Sequence, residues 1–165
     1  MSKEIIWHPS KNQVQNSKLT KFIKYCKTKD YDELEKKSFS DPGWLWDKVI
    51  KFSDLKFYKP YTKILDESEG TPWTKWCVGG KTNIVLNCID RHKNQEFFKK
   101  TFIFAEREDG KESSITYEEF DKQISKIGNT LKANGFKKGD VIALYMPQFI
   151  ETYIAYFAIL KVGCV

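Results

Sequence analysis

The chain has 165 residues, of which 41% are hydrophobic, 30% charged and 15% aromatic. This composition excludes a disordered chain, because disordered segments are poor in aromatic residues, and the length suffices for a buried core. The net charge of +6 comes almost entirely from lysine, since Arg91 and Arg107 are the only arginines. Nucleic-acid readers favour arginine, so we favour a solvated lysine-rich surface and keep a basic nucleic-acid-binding module as an alternative.

Helical spacing dominates the start of the chain. Residues 16–27 place apolar side chains three and four positions apart, which predicts an amphipathic helix. Residues 30–40 predict a second helix, whose inward side chains would be Tyr31, Leu34 and Phe39. The pair Asp41-Pro42 is a helix start signal, with Asp as the cap and Pro in the first turn. It predicts a third helix that ends near Phe52.

The middle of the chain is less regular. Residues 55–76 mix aromatic residues with Pro60, Gly70 and Pro72, which predicts an ordered loop with short turns. Residues 81–93 return to helical spacing and predict another helix. Its predicted apolar positions are Ile84, Leu86, Cys88 and Ile89, and Asp90-Arg91-His92 would close it.

The second half predicts a β-hairpin followed by a long helix. Residues 101–108 and 112–116 read as strands, and Asp109-Gly110 between them is a strong hairpin signal. Thr116 and Glu119 form a capping box, which predicts that a helix begins there. Apolar residues then recur three and four positions apart, and Asn134-Gly135 is predicted to end the helix. That apolar face comprises Tyr117, Phe120, Ile124, Ile127 and Leu131.

The last elements predict a buried parallel strand and a buried helix. Residues 141–146 are apolar on both faces, as is typical of a strand in the middle of a parallel sheet covered by helices. Pro147 is predicted to start the final helix. We therefore predict an α/β fold: a helical, aromatic-rich extension over residues 1–99, and over residues 100–165 an incomplete, doubly wound large domain. Without further strands, the segment 141–146 and one face of the last helix would expose apolar surface.

The motif GGKT, Gly79 to Thr82, invites comparison with a phosphate-binding loop. Such a loop needs a glycine five positions before its second glycine, because that residue lets the backbone wrap the phosphate. Lys75 occupies this position, and no buried strand precedes the motif. We favour a tight backbone turn into the next helix.

Three other residue sets are candidates for a functional role. Asp90, Arg91 and His92 would need a nucleophile and a pocket to catalyse a reaction, so we favour an ion-paired helix end. The tryptophans could stack nucleic-acid bases, but we favour packing; they are Trp7, Trp44, Trp46, Trp73 and Trp76. Cys77 and Cys88 have no activating neighbour in sequence, so neither is predicted to be a nucleophile.

The cysteines and the hydropathy pattern bear on location. Cys26, Cys77, Cys88 and Cys164 show no zinc-binding spacing, and their scatter suggests reduced cytoplasmic thiols. The N-terminus shows no apolar signal segment, and the most apolar window, residues 149–165, is short for a membrane span. We predict no metal site, no membrane association and a cytoplasmic location.

Five phrases, taken in order, resemble one protein family. From about Tyr31 to Val165 the chain is similar to the N-terminal portion of AMP-forming acyl-CoA synthetases of the acetyl-CoA synthetase-like branch. The phrases are DPGWLWDKV, KPYTKILD, WTKWCVGGKTNIVLNCIDRH, ITYEEF and GFKKGDVIALYMPQFIETYIAYFAILKVGCV. Cys77, Gln148 and Ile150 depart from the usual family residues, at positions that we interpret as packing positions.

The resemblance implies a two-step reaction for the parent enzyme. A short-chain carboxylate attacks the α-phosphate of ATP, with Mg²⁺ offsetting charge, and the thiol of coenzyme A then displaces AMP. The family's catalytic, cofactor-binding and metal-binding positions have no counterpart in this sequence, so we assign none. We expect the chain alone to bind no cofactor and to be inactive, as a truncated product, an incomplete sequence or one half of a split enzyme that a C-terminal remainder complements.

Overall fold

The computed structural model describes residues 6–165, which fall into two compact units. The first unit contains the described residues up to Leu55 together with Pro60–Gly80, and the second contains Lys56–Lys59 and Lys81–Val165. The proposed domain boundary between residues 99 and 100 stays a prediction.

Four helices build most of the first unit, each opened by a side-chain cap. The caps are Ser10, Ser17, Asp30 and Asp41, and each accepts a hydrogen bond from a backbone N–H three residues further on, as helix N-termini require. The start signal at Asp41-Pro42 is therefore confirmed. The helices are α1, Lys11–Asn16; α2, Lys18–Cys26; α3, Tyr31–Ser40; and α4, Pro42–Phe52.

The packing of α3 corrects the predicted inward face. Leu34 is buried as expected, but Tyr31 is 50% exposed and Phe39 is 80% exposed. Phe39 follows Leu34 by five positions, which places it about 140° further round a helix of 3.6 residues per turn. It therefore points away from the surface that Leu34 covers. Elsewhere in this unit, the ring of Phe52 packs against those of Phe22 and Tyr25 at 5.1 and 5.4 Å between centroids.

A short hairpin replaces part of the loop predicted for residues 55–76. Strand β1, Lys63–Asp66, pairs antiparallel with β2, Lys75–Val78, so that Leu65 lies opposite Trp76. A 3-10 helix, Thr71–Trp73, lies in the connection. Strands of four residues carry too little alternation to be recognised, and no two-residue turn motif joins them.

The second unit contains a hairpin, three helices and two short 3-10 helices. Strand β3 pairs antiparallel with β4, and Gly110 turns the chain between them with φ +75°. The predicted hairpin is thus confirmed; a bulge lies between Thr101 and Ile103. The elements are α5, Ile84–Cys88; 3-10 helices, Asp90–His92 and Glu96–Lys99; β3, Thr101–Glu106; β4, Glu112–Thr116; α6, Tyr117–Ala133; and α7, Ile150–Val162.

The helix predicted over residues 81–93 is longer than the helix in the structure. Asn83 caps α5 by accepting a hydrogen bond from the N–H of Val85, and the backbone leaves helical geometry at Ile89. Val85 and Ile89 are buried, whereas the predicted apolar residue Ile84 is half exposed. The buried face of this region therefore begins at Val85, one residue after Ile84.

Helix α6 begins and ends where the sequence indicates. The N–H of Glu119 donates to the Thr116 hydroxyl at 3.2 Å, and the N–H of Thr116 donates to the Glu119 carboxylate at 3.0 Å, which confirms the capping box. Asn134 ends the helix, and Gly135 follows with φ +88°. Phe120 and Ile124 are buried as expected, but Ile127 is exposed and Gly128 takes the buried position beside it.

One hydrophobic core holds the second unit together. It joins α5, the hairpin, α6 and α7, and Phe120 is completely buried within it. Gly128 faces α7, and a Cβ at this position would meet a methyl group of Val162 at an ordinary contact distance of 3.6 Å. The core residues are Val85, Ile89, Ile115, Phe120, Ile124, Ile154 and Ala158.

The end of the chain differs from prediction in two ways. Helix α7 begins at Ile150, three residues after Pro147, because Phe149 takes the extended conformation of an N-cap. Residues 141–146 form no strand of the described sheets. A strand is defined by the ladder that it forms with neighbours, and the described residues give this segment a neighbour at one position alone, Val165.

Candidate functional site

The GGKT motif forms a turn that is not built to hold a phosphate. Gly79 has φ +73°, and the N–H of Gly80 donates to the carbonyl of Cys77 at 2.8 Å. The Thr82 hydroxyl donates to the carbonyl of Lys56 at 2.7 Å, so it is already engaged. The helix that follows, α5, has five residues, too few to build a substantial N-terminal dipole. The favoured interpretation, a tight turn, is confirmed.

Two carboxylates and two amines form a charged cluster that joins three elements. We call Asp90, Lys93, Asp121 and Lys161 the Asp–Lys cluster. Lys161 Nζ lies 2.8 Å from Asp121 Oδ1 and 3.3 Å from Asp90 Oδ1. Lys93 Nζ lies 3.0 Å from Asp121 Oδ2 and 2.9 Å from Asp90 Oδ1. Each carboxylate therefore contacts both amines, and the ion pairing that we favoured for Asp90 is confirmed.

The electrostatics of the Asp–Lys cluster indicate a structural role. Burial by itself would raise the pKa of Asp121, but hydrogen bonds from Lys161 and Lys93 outweigh it and lower that pKa below its usual value. Burial would likewise lower the pKa of Lys93, yet its bonds to Asp90 and Asp121 raise it. Both pKa values move away from neutrality, so neither group is suited to exchange protons near pH 7. The cluster fastens α6 and α7 to the 3-10 turn at Asp90–His92.

His92 lies beside this cluster in an aromatic setting. Its ring packs edge-on against Phe97 with 4.9 Å between centroids. Burial first, and the charge of Arg91 second, lower the pKa of His92, so the neutral imidazole is favoured at pH 7. The absence of a catalytic role for Asp90, Arg91 and His92 stays a prediction.

The tryptophans and cysteines are dispersed. Trp46 packs edge-on against Trp76, and the Lys37 ammonium lies 4.3 Å from the centre of the Trp44 ring. The prediction that the tryptophans are packed is wrong for Trp7 and Trp73, whose side chains are mostly exposed. All four cysteines are free, and burial raises the pKa of the Cys26 and Cys77 thiols, which disfavours the reactive thiolate.

The segment 141–146 begins with one pair of hydrogen bonds of the kind that joins parallel strands. The N–H of Val165 donates to the carbonyl of Asp140, and the N–H of Ile142 donates to the carbonyl of Val165, both at 2.8 Å. This pattern places Val165 beside Val141 in a parallel arrangement, with α7 as the connection between them. Among the described residues, the remaining N–H groups of the segment donate to no backbone carbonyl. We call residues 141–146 the open segment.

Exposure alternates along the open segment. Val141 is 78% exposed and Tyr145 is fully exposed. Ile142 is half-buried, and Leu144 and Met146 are less exposed than Val141 and Tyr145. An apolar segment with this exposure agrees with the predicted open edge. Tyr153 and Tyr156 of α7 are also partly exposed, as expected for a helix that lacks part of its cover.

A polar cleft lies where the hairpin, the first turns of α6 and the start of α7 meet. It has a volume of about 310 Å³ and is lined by Ser113, Ser114, Gln123 and Gln148, among others. The Arg107 guanidinium stacks 4.5 Å from the centre of the Phe149 ring at its edge. Glu106, Glu119 and Glu151 also line it, so its charges are mixed. Sequence reasoning missed the cleft, because its residues come from four elements and form no local motif.

The described residues contain neither a cluster suited to bind a metal ion nor a helix suited to span a membrane. No group of three or more His, Cys, Asp or Glu side chains is placed to hold a metal ion within residues 6–165. No helix in this range is both long enough and apolar enough to cross a membrane.

Comparison with known proteins gives two adjacent family matches. Residues 31–88 match the family described as acetyl-coenzyme A synthetase N-terminus, and residues 89–165 match the family described as AMP-binding enzyme. The two matches are contiguous and together reach from Tyr31 to the last residue. This span is the one over which the sequence phrases suggested a resemblance.

Curated relatives match over most of this chain. The acetyl-coenzyme A synthetase of Methanothrix soehngenii is 36% identical over 96% of the chain, which covers 24% of that protein. The acetyl-coenzyme A synthetase of Psychromonas ingrahamii is 34% identical over the whole chain, again 24% of that protein. The 3-hydroxypropionyl-coenzyme A synthetase of Sulfurisphaera tokodaii is 36% identical over 82% of the chain and 20% of that protein. The chain thus spans about a quarter of the length of these relatives.

A solved structure supports the fold. The acetoacetyl-CoA synthetase from Streptomyces lividans superimposes with a TM-score of 0.86 over 99% of this chain and 26% of that protein. The sequence identity is 20%, so this likeness concerns the fold. The predicted α/β architecture, incomplete relative to longer proteins, is confirmed. None of these matches favours a nucleic-acid-binding module.

Proposed function

Because this chain belongs to the AMP-forming acyl-CoA synthetase family, we propose that it forms the N-terminal part of an enzyme that makes acyl-CoA thioesters. The observation that carries this proposal is the unbroken pair of family matches over residues 31–165. The match to an acetyl-coenzyme A synthetase N-terminus comes first, and the match to an AMP-binding enzyme follows it directly.

The proposed reaction has two steps. A carboxylate oxygen attacks the α-phosphorus of ATP, so that an acyl-adenylate forms and pyrophosphate leaves. The sulfur of coenzyme A then attacks the acyl carbon; its proton is lost, and AMP leaves with the electrons of the broken bond. Mg²⁺ offsets the phosphate charge in the first step. We assign none of the residues described here to the bond-making chemistry.

The contribution of this chain is a scaffold. The core around Phe120 and Ile124 holds α6 and α7 side by side, and the Asp–Lys cluster ties the first half of α6 to the last turn of α7. These contacts fix the position of the open segment and of Val165, from which a parallel sheet would extend. We expect the chain alone to bind neither ATP nor coenzyme A, because the positions that bind them lie in the rest of the enzyme.

A short-chain carboxylate is the proposed substrate class. Two relatives described above are named for acetate and one for 3-hydroxypropionate, both small acids. A cytoplasmic location suits the four free thiols, which a reducing compartment would preserve. A remainder supplied by a separate polypeptide is a second arrangement for the same activity.

The test joins this chain to a relative. In a chimera, the chain replaces the aligned region of the Methanothrix soehngenii acetyl-coenzyme A synthetase, and the relative's own region rejoined at the same junction serves as the control. The assay follows pyrophosphate and AMP release with acetate, propionate and 3-hydroxypropionate in the presence of Mg²⁺ and coenzyme A. We expect turnover by the chimera and none by the chain alone. A folded chimera that activates no acid, beside an active control, would overturn the proposal.

A further inference from the structure

We propose that residues 6–29 bind the surface of a bilayer rich in anionic phospholipids, with lysines of α2 against the headgroups and Trp7 at the interface. The inference goes beyond the proposed function and does not depend on it. It concerns contact with the face of a membrane and requires no helix that spans one.

The first argument is where the charge of the protein lies. Residues 30–165 carry equal numbers of cationic and anionic side chains, and so do residues 1–5. Residues 6–29 carry six lysines and no carboxylate, so they account for the whole net charge of +6. Such a concentration of lysine attracts an anionic surface, and each lysine near a bilayer adds to the attraction. The six are Lys11, Lys18, Lys21, Lys24, Lys27 and Lys29.

The structure leaves the charge of these lysines available to a partner. All six are exposed, and none forms a salt bridge with another residue of the described range 6–165. The lysines of the Asp–Lys cluster differ, because each of them contacts two carboxylates. The predicted lysine-rich surface is therefore uneven, and its uncompensated part belongs to the first unit.

Helix α2 gathers three of the lysines on one side, with a tyrosine between them. At 3.6 residues per turn, Lys18, Lys21, Lys24 and Tyr25 fall within about 120° of the helix circumference. All four are exposed, and the buried side of the helix lies outside this arc. Lys48 of α4 adds an ammonium 5.7 Å from the centre of the Tyr25 ring. We call these five residues the cationic surface.

Apolar side chains select a bilayer rather than a nucleic acid as the partner. Trp7, Val14 and Leu19 lie in the same stretch and are exposed. Lysine combined with exposed tryptophan and aliphatic residues is typical of segments that lie in the membrane interface, where tryptophan is enriched. Aliphatic side chains offer nucleic-acid bases nothing to stack on. Arginine, which binds phosphate and guanine in a bidentate way, is absent from residues 6–29.

The lysines also argue against another protein as the partner. Lysine is depleted in protein–protein interfaces, and its strongly hydrated ammonium on a flexible stem is costly to desolvate and immobilise. We therefore expect the cationic surface to stay accessible in a full-length synthetase.

The experiment measures binding of the full chain to lipid vesicles by flotation. One set of vesicles contains equal parts of phosphatidylserine and phosphatidylcholine, and the other contains phosphatidylcholine alone. We expect at least tenfold tighter binding to the anionic set, and at least a tenfold loss when half-molar sodium chloride screens the charges. Absence of binding to the anionic set, equal binding to both sets, or binding that salt leaves unchanged would overturn the inference.

Two double variants separate the cationic surface from the charge of the protein as a whole. Lys21→Gln with Lys24→Gln should weaken binding to anionic vesicles at least fivefold. The matched control, Lys126→Gln with Lys132→Gln on α6, removes the same charge and should weaken it less than twofold. All four lysines are exposed, and glutamine suits a helix, so both variants should fold, which circular dichroism checks. Equal losses in the two variants would contradict a localised surface.

A third variant and a second probe test the choice of a bilayer. Trp7→Ser leaves the charge unchanged and should weaken binding to anionic vesicles at least threefold, because it removes the side chain at the interface. Unchanged affinity of this variant would overturn the assignment to a bilayer. Tighter binding of the chain to single-stranded oligothymidylate than to the anionic vesicles would instead identify a nucleic acid as the partner.

The chimera described above tests the same surface in a full-length enzyme. We expect it to bind anionic vesicles with the same dependence on Lys21 and Lys24. Binding by the chain but not by a folded chimera would show that the rest of the enzyme covers the cationic surface, and would overturn the inference. Vesicle binding and pyrophosphate release are separate readouts, so the failure of one proposal is distinguishable from the failure of the other.

Discussion

The ammonium of Lys161 lies 2.8 Å from the carboxylate of Asp121 and ties the last turn of α7 to the first half of α6. Both side chains are mostly buried, and Asp121 also accepts a hydrogen bond from Lys93. We expect Lys161→Met to reduce the free energy of unfolding by about 1–3 kcal/mol, because it leaves part of a half-buried carboxylate without its partner. Urea denaturation measures this. The matched control is Lys122→Met, which breaks the exposed pair with Glu118 and should leave the midpoint unchanged.

The same carboxylate predicts a dependence of stability on pH. The pKa of Asp121 is lowered on folding, so its contribution to stability is complete above the unfolded value of about 3.9 and is lost as pH falls toward the folded pKa. We expect the free energy of unfolding to fall less steeply below pH 4 in Asp121→Asn than in the wild type. Thermal unfolding between pH 6 and pH 3 tests this. If the free energy of unfolding fell equally with pH in the two proteins, protonation of Asp121 would not be coupled to folding.

Substitution of alanine for each of two glycines should change the stability of the protein in opposite directions. At Gly128 the new Cβ would meet Val162 and Ala158 at ordinary contact distances of 3.6 and 3.8 Å, and alanine favours a helix interior. We therefore expect Gly128→Ala to stabilise the protein by about 0.5–1 kcal/mol. Gly163 has φ +92°, and its Cβ would lie 3.2 Å from Lys138, so Gly163→Ala should destabilise by about 1 kcal/mol or more. Chemical denaturation of both variants checks the signs.

Two phenylalanines should also differ. Phe120 is completely buried and packs against Phe102 and Phe157, whereas Phe104 on β3 is 81% exposed. We expect Phe120→Ala to cost about 3–5 kcal/mol, enough to unfold much of the second unit. Phe104→Ala should change stability by less than about 0.5 kcal/mol. Near-ultraviolet circular dichroism and denaturation compare them; similar losses in both would mean that the side of β3 bearing Phe104 is covered in solution.

Local rules accounted for the elements whose signals lie close together in sequence. The capping box of Thr116 and Glu119 spans four residues, and the turn at Asp109-Gly110 spans two, so both could be recognised directly. The same reasoning assigned Phe39 to an inward face, since an aromatic residue on a helix usually packs. The sequence pattern does not indicate that Leu34 is the one buried residue of α3 and that Phe39 lies on the opposite side of the helix.

Features that depend on distant residues could not be predicted in the same way. Asp121 and Lys161 are forty positions apart, and nothing in either local sequence indicates that their side chains meet. The open segment shows the opposite case. Its composition predicted a strand in the middle of a parallel sheet, but a ladder needs neighbours, and among the described residues Val165 alone pairs with it. Composition predicts what a segment is suited for, and pairing decides what it forms.

The position of Val165 also has a practical consequence for handling this protein. Its backbone is already bonded at the edge of the open segment, so any residues joined after it, whether native sequence or an affinity tag, would run along the amides of Leu144 and Met146. A purification handle fused there would compete with a neighbouring strand for these amides. Such handles are therefore better fused at the opposite terminus.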